Sequence, residues 1–138
     1  MRKLLSLLAA VCLVTLVVSQ GLPYSPVVEA NGVLYLAGEN GRNPETCELP
    51  GNIEDETHFT LEAAKGKLEG VVATMANVVR CQGFLANTYD FDAMNSVYRT
   101  YFLWNPPART TVAAKDIVIA AKIEIELPAV LRYAEKAL

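Results

Sequence analysis

Asn105-Pro106-Pro107-Ala108-Arg109-Thr110-Thr111 is followed, after a short polar break, by Ile117-Val118-Ile119-Ala120-Ala121-Lys122-Ile123-Glu124-Ile125-Glu126-Leu127. Consecutive prolines end a helix and impose an extended backbone, so a strand is expected from Ala108 to Ala114. Lys115-Asp116 reads as a turn, and Ile117 to Leu127 as one long strand. If these two strands form a hairpin centred between Asp116 and Ile117, Arg109 stands opposite Glu124. Alternation then puts Thr111, Lys122 and Glu126 on the same face. From Ile117 to Ala121 the second strand is apolar on both sides, whereas a sheet with one wet face alternates. One side meets helices; the other is expected to meet another subunit.

The helices lie upstream. Asn52 is a capping residue followed by Glu54, Asp55 and Glu56, which suit the positive end of a helix. Leu61, Ala64, Leu68, Val71, Val72 and Met75 then recur at helical spacing. Asp90 caps a second helix, with Phe91, Met94, Tyr98, Tyr101 and Phe102 on one side and Asn95 beside Met94. Between the helices, Val78 to Leu85 reads as a strand. Before them, Val27–Ala30 and Val33–Ala37 flank Asn31-Gly32, a two-residue hairpin turn. The order β-β-α-β-α-β-β defines an α+β domain with two helices on one face of a mixed sheet. Residues from about 128 to the end read as a short peripheral tail with helical character.

A chain of 138 residues with 52% apolar and 20% charged residues accommodates one folded domain and a core. The net charge is −3, without a run of basic residues. A nucleic-acid partner is therefore not expected. Met1-Arg2-Lys3 and the apolar run from Leu4 to Val18 have the pattern of a signal peptide over residues 1–19, leaving residues 20–138 as the domain. That reading predicts an exported protein, periplasmic or secreted, that meets a membrane only through its leader. An uncleaved leader, or a buried first element in a cytoplasmic protein, is the alternative. In an oxidising compartment Cys47 and Cys81 either pair or stay as thiols; both readings stand.

Arg109 and Glu124 carry the chemistry. A guanidinium is a planar fork that grips a carboxylate bidentately, and a carboxylate beside it can deprotonate a water. The plainer alternative is a cross-strand ion pair contributing roughly 0.2–1 kcal/mol to the sheet. His58, the single histidine, has no ligand-spaced Cys, Asp or His, so no metal site is expected and it reads as a solvated helix residue. No Gly-x-Ser-x-Gly elbow, phosphate loop or paired CxxC occurs.

Several motifs resemble the reactive intermediate deaminases (the Rid or YjgF family). Pro107-Ala108-Arg109-Thr110-Thr111-Val112 and Ile123-Glu124-Ile125-Glu126 are similar to the family's C-terminal signature. Pro23-Tyr24-Ser25, Leu36-Ala37-Gly38-Glu39, and Asp90-Phe91 with Met94-Asn95 and Tyr98 resemble its other motifs. The resemblance implies a homotrimer of chorismate-mutase-like domains that hydrolyses enamines and imines to 2-keto acids and ammonia, without metal or organic cofactor. Arg109 would hold the substrate carboxylate, and Glu124 would position water with the backbone carbonyl at Thr111. Tyr24, Asn95, Ala37 and Gly38 would line an intersubunit cleft.

Ala37, Glu39 and Thr111 depart from the family's Ser, Gln and Cys, and Glu39 in the cleft would repel an anion. The leader occupies the place of the family's first strand. These departures motivate an alternative function, a non-catalytic module of the same fold binding a small carboxylate such as a keto acid. Ribonuclease activity is disfavoured by the acidic balance.

Overall fold

A computed structural model describes residues 21–131; the expected leader and the chain beyond residue 131 lie outside them. Asn31 and Gly32, at φ 53° and 79°, make the turn that the Asn-Gly pair predicts. They join β1 (Val27–Ala30) to β2 (Val33–Leu36) in antiparallel register. The chain steps sideways at Ala37-Gly38 into a two-residue strand, β3 (Glu39–Asn40).

Helix α1 (Ile53–Gly70) begins as expected, with the Asn52 side chain accepting the Asp55 N–H and three acidic residues in the first turn. Ile53, Leu61, Ala64 and Leu68 are its buried apolar stripe. The helix ends at Gly70, before the expected continuation to Met75. Val72 takes a left-handed φ of 59° and is 94% exposed, and Met75 starts a separate 3-10 turn. Two consecutive turn residues outweigh the apolar spacing there. The next strand, β4 (Arg80–Leu85), leads through Asn87 into α2 (Phe91–Tyr101). Asp90 occupies the cap position without a side-chain bond, and Asn87 takes the Tyr89 N–H in the turn before it.

Three strands follow: β5 (Ala108–Ala113), β6 (Ile123–Glu126) and β7 (Pro128–Val130). The strand orders are β3-β6-β4-β5 and β1-β2-β7; β6 and β7 are separated only by Leu127, whose carbonyl accepts the Leu36 N–H. Among the described strands only β4 and β5 run parallel, so the larger sheet is mixed, as expected. Leu61, Leu68, Met94 and Tyr98 from the helices share one core with Cys81, Leu85, Ile123 and Ile125 from the sheet. The α+β class with two helices and a mixed sheet is therefore as read from the sequence.

Three expectations are corrected. First, β5 and β6 do not form a hairpin: β4 lies between them, parallel to β5 and antiparallel to β6. The β4–α2–β5 crossover fills one edge of β4, leaving β6 the other. Second, Ile117–Ala121 is not strand. Val118–Ala120 form a 3-10 turn in which Ile119 and Ala120 have φ of 58° and 59°. Buried Ile117 and Ala121 anchor its ends while Val118 is 67% exposed. The doubly apolar pattern belongs to a connection that is pinned at both ends, not to a strand with two buried faces. Third, the tail is not peripheral at its start: β7 pairs with β2, and Ala129 is fully buried.

Candidate active site

The register sorts the expected site residues onto two faces. On β4, Cys81, Gly83 and Leu85 are buried against the helices, and their partners on β5 include Arg109 and Thr111. Glu124 pairs with Phe84, which points the other way, and Glu126 pairs with Gln82. Paired residues share a face. Arg109 and Thr111 thus lie on the helix side of the sheet, and Glu124 and Glu126 on its open side. The expected single-face cluster is split, and the plainer reading, a direct Arg109–Glu124 pair, is excluded within one chain. The two residues are offset by three positions with one strand between, about 10 Å along the strands and about 10 Å across them.

Arg109 is held by α2. Its Nη2 donates to Asn95 Oδ1 at 2.6 Å, and Nη1 lies 3.9 Å from the Met94 sulfur. The guanidinium carbon is 4.5 Å from the Tyr98 ring centroid and 5.7 Å from that of Phe91. Residues 91, 94, 95 and 98 follow helical spacing, so one side of α2 forms the whole seat. Among the described residues no carboxylate forms an ion pair with Arg109. Its charge meets ring faces and a neutral amide, and most of its N–H donors have no acceptor among the described residues.

Beneath it, Cys81 is fully buried as a free thiol, so no Cys47–Cys81 disulfide forms. Burial raises the thiol to about 11, against a smaller opposite effect of Tyr98 and Arg109. Burial, then the neighbouring Cys81, push the Tyr98 phenol well above its ordinary value. Tyr98 Oη is directed to the Cys81 thiol, and Thr111 Oγ1 is buried without a hydrogen-bond partner among the described residues.

Glu124 sits against Gly38 on the open side. A methyl group at Gly38 would come within 2.3 Å of Glu124 Oε1, so glycine is what allows the carboxylate to rest there. Glu124 forms no ion pair among the described residues. Ala37, the preceding residue, has no side-chain donor, and its N–H is used by the Pro26 carbonyl. Tyr24 is 56% exposed in the segment before β1.

Glu39 is turned to the helix side, where it pairs with Lys67 of α1, and burial lowers the Lys67 ammonium. The anion repulsion expected from Glu39 therefore has no geometric basis. His58 is exposed but not merely solvated. Its Nδ1 meets Tyr101 Oη at 2.6 Å, while the phenol donates to Glu62 at 2.8 Å, joining the two helices. Among the described residues no group of His, Cys, Asp and Glu is placed to hold a metal.

The domain thus presents an arginine seated on rings and, on the opposite face, a carboxylate, neither in an ion pair among the described residues. Residues 18–131 match the family described as Endoribonuclease L-PSP. A Dermatophagoides farinae protein named 2-iminobutanoate/2-iminopropanoate deaminase is 36% identical over 105 residues, covering 75% of this chain and 82% of its own length. The mouse protein of the same name is 31% identical over 109 residues, with 78% and 81% covered. The solved structure of the Escherichia coli YjgF gene product superposes with a TM-score of 0.76 at 27% identity, covering 80% of this chain and 89% of its own. The chain belongs to the Endoribonuclease L-PSP family, the Rid/YjgF family that its motifs resemble.

Proposed function

We propose that this protein is an imine deaminase that hydrolyses 2-imino acids to 2-keto acids and ammonia. The observation that carries this reading is the pair of uncompensated charges: among the described residues Arg109 has no carboxylate partner and Glu124 no cation. The names of the mite and mouse relatives support the reaction. Arg109 grips the substrate carboxylate through its free N–H groups. Glu124 takes a proton as water adds to the C2 carbon of the imine, with the Thr111 carbonyl orienting that water. The imine enters protonated, so this addition gives a neutral carbinolamine. Glu124 then returns the proton to its amine. Ammonia leaves as the C2–N bond breaks and the hydroxyl hydrogen passes to Glu124 with formation of the carbonyl. An enamine enters the reaction after tautomerising to its imine.

A site needs both charges, and one chain presents them on opposite faces. An oligomer, a trimer in our reading, resolves this. The β5 edge of one protomer, bearing Arg109, Asn95 and Thr111, abuts the open face of the next, bearing Glu124 and Gly38. Tyr24 and Ala37 line the same cleft. Exposed Val28, Tyr35, Val112, Val118 and Ile119 supply apolar surface for such contacts. In our reading the leader directs the protein out of the cytoplasm, where imines released by amine or amino-acid oxidation are its substrates. Cell fractionation with N-terminal sequencing checks this: protein in the medium or periplasm beginning near Gln20 is expected, and protein confined to the cytoplasm with Met1 intact overturns it.

The test is release of 2-keto acid from imino acids made in situ by an amino-acid oxidase. Purified protein accelerates it, and Arg109→Ala abolishes the acceleration. Binding of a 2-keto acid by calorimetry without any turnover would instead establish the carboxylate-binding module, to which the missing hydroxyl at Ala37 points.

A further inference from the structure

Asn95 explains one hydrogen bond of Arg109, but the rest of the seat on α2 is aromatic. Tyr98 is only 6% exposed, and its ring centroid lies 4.5 Å from the guanidinium carbon, inside the range of a strong cation–π contact. Phe91, two turns away on the same side, approaches the same guanidinium at 5.7 Å and is 41% exposed. The Tyr98 hydroxyl is directed to the buried Cys81 thiol, a weak partner. The hydroxyl thus faces away from Arg109's donors, and the ring face is what meets the guanidinium.

We infer that Tyr98, assisted by Phe91, is a positioning residue that fixes the plane of the Arg109 guanidinium for carboxylate capture. The inference rests on the deaminase reading for its kinetic consequence, though not for its geometry. A long arginine side chain has many rotamers, and its affinity for an anion falls if ordering occurs only on binding. Ring faces neutralise part of its charge without occupying its N–H donors, which a carboxylate partner would do. Asn95 then sets the rotation within that plane by taking one Nη2 hydrogen. The fork is thereby held ready while its remaining donors stay available to the substrate.

The experiment compares Tyr98→Leu, Tyr98→Phe and Phe91→Leu by imine-hydrolysis kinetics and by the NMR signal of the Arg109 Nε–H, assigned through Arg109→Lys. In the wild type that signal carries an aromatic ring-current shift. Tyr98→Leu removes most of the shift and raises KM about tenfold, with kcat little changed. Tyr98→Phe, which keeps the ring, retains both the shift and the affinity. If Tyr98→Leu does not fold, Phe91→Leu at the exposed ring shows smaller changes in the same directions. A folded Tyr98→Leu protein with unmoved Nε–H and KM overturns the inference, as does Tyr98→Phe losing as much as Tyr98→Leu. If the wild-type protein shows no turnover, the deaminase reading fails, and the Nε–H shift still decides whether the rings hold Arg109.

Discussion

Gly38 and Cys81 are small residues with separable consequences. At Gly38 the clash of an added methyl would be with the mobile end of Glu124, not with backbone. Gly38→Ala is therefore expected to fold and to melt within a few degrees of the wild type. Its carboxylate, however, is pushed off the site, and activity falls at least tenfold in the imine-hydrolysis assay. Equal losses of stability and activity would show that Glu124 is only structural there. Cys81 gives a pH signature. Its folded thiol titrates near 11 against 9.0 for an ordinary thiol. The folded state holds the proton more tightly, so this contribution is complete below pH 9 and is lost as pH rises toward 11. That amounts to roughly 2 kcal/mol if burial acts fully. Urea denaturation at pH 8 and pH 10.5 should show the decline, and Cys81→Ala should flatten it. The same protonation keeps native Cys81 unreactive toward alkylation at pH 8.

Helix α1 is tied to the sheet by a charged side chain that periodicity alone assigns to the helix dipole. Glu56 is 1% exposed, and its Oε2 accepts the Lys122 N–H at 2.7 Å, just before β6 begins. Glu56→Ala leaves that N–H unsatisfied and should cost about 2 kcal/mol, measured as a lower urea midpoint; Glu56→Gln should recover much of it. The backbone also meets α1 closely at Gly41, where a methyl group would lie 2.1 Å from the Glu56 carbonyl oxygen. Gly41→Ala cannot be absorbed by a side-chain shift and is expected to yield little folded protein. Local signals such as Asn31-Gly32, Asn52 and Pro106-Pro107 were readable because each acts within a few residues. The candidate site residues Arg109, Glu124 and Asn95 were named from motifs. Their partnerships were not, because the choice of β4 as the strand between β5 and β6 depends on the α2 crossover. The Ile117–Ala121 run misled for a related reason: apolar residues anchoring a connection have the same composition as a strand buried on both faces. Glu39 and Tyr98 acquire their roles only through Lys67 and Arg109, each distant in sequence.

The proposed assembly is argued from the faces of the sheet. Arg109 belongs to the helix side at edge strand β5, and Glu124 to the open side on β6. If each proposed site takes its guanidinium from one protomer and its carboxylate from the next, two inactive variants can repair each other. Arg109→Ala protomers retain Glu124, and Glu124→Gln protomers retain Arg109. Each variant alone should have less than a hundredth of the wild-type rate. Co-expressed in equal amounts with separate tags, and purified through both tags, they form mixed oligomers. In a closed ring of three that carries both tags, about one interface in three has both native residues, so about a third of the wild-type activity should return. Putting both substitutions in one chain and co-expressing it with wild type separates this from simple dilution. Each intact site there again needs two wild-type neighbours. No recovery from the single variants, despite verified mixing by mass spectrometry, would place both charges in one protomer's site and rule out the shared cleft.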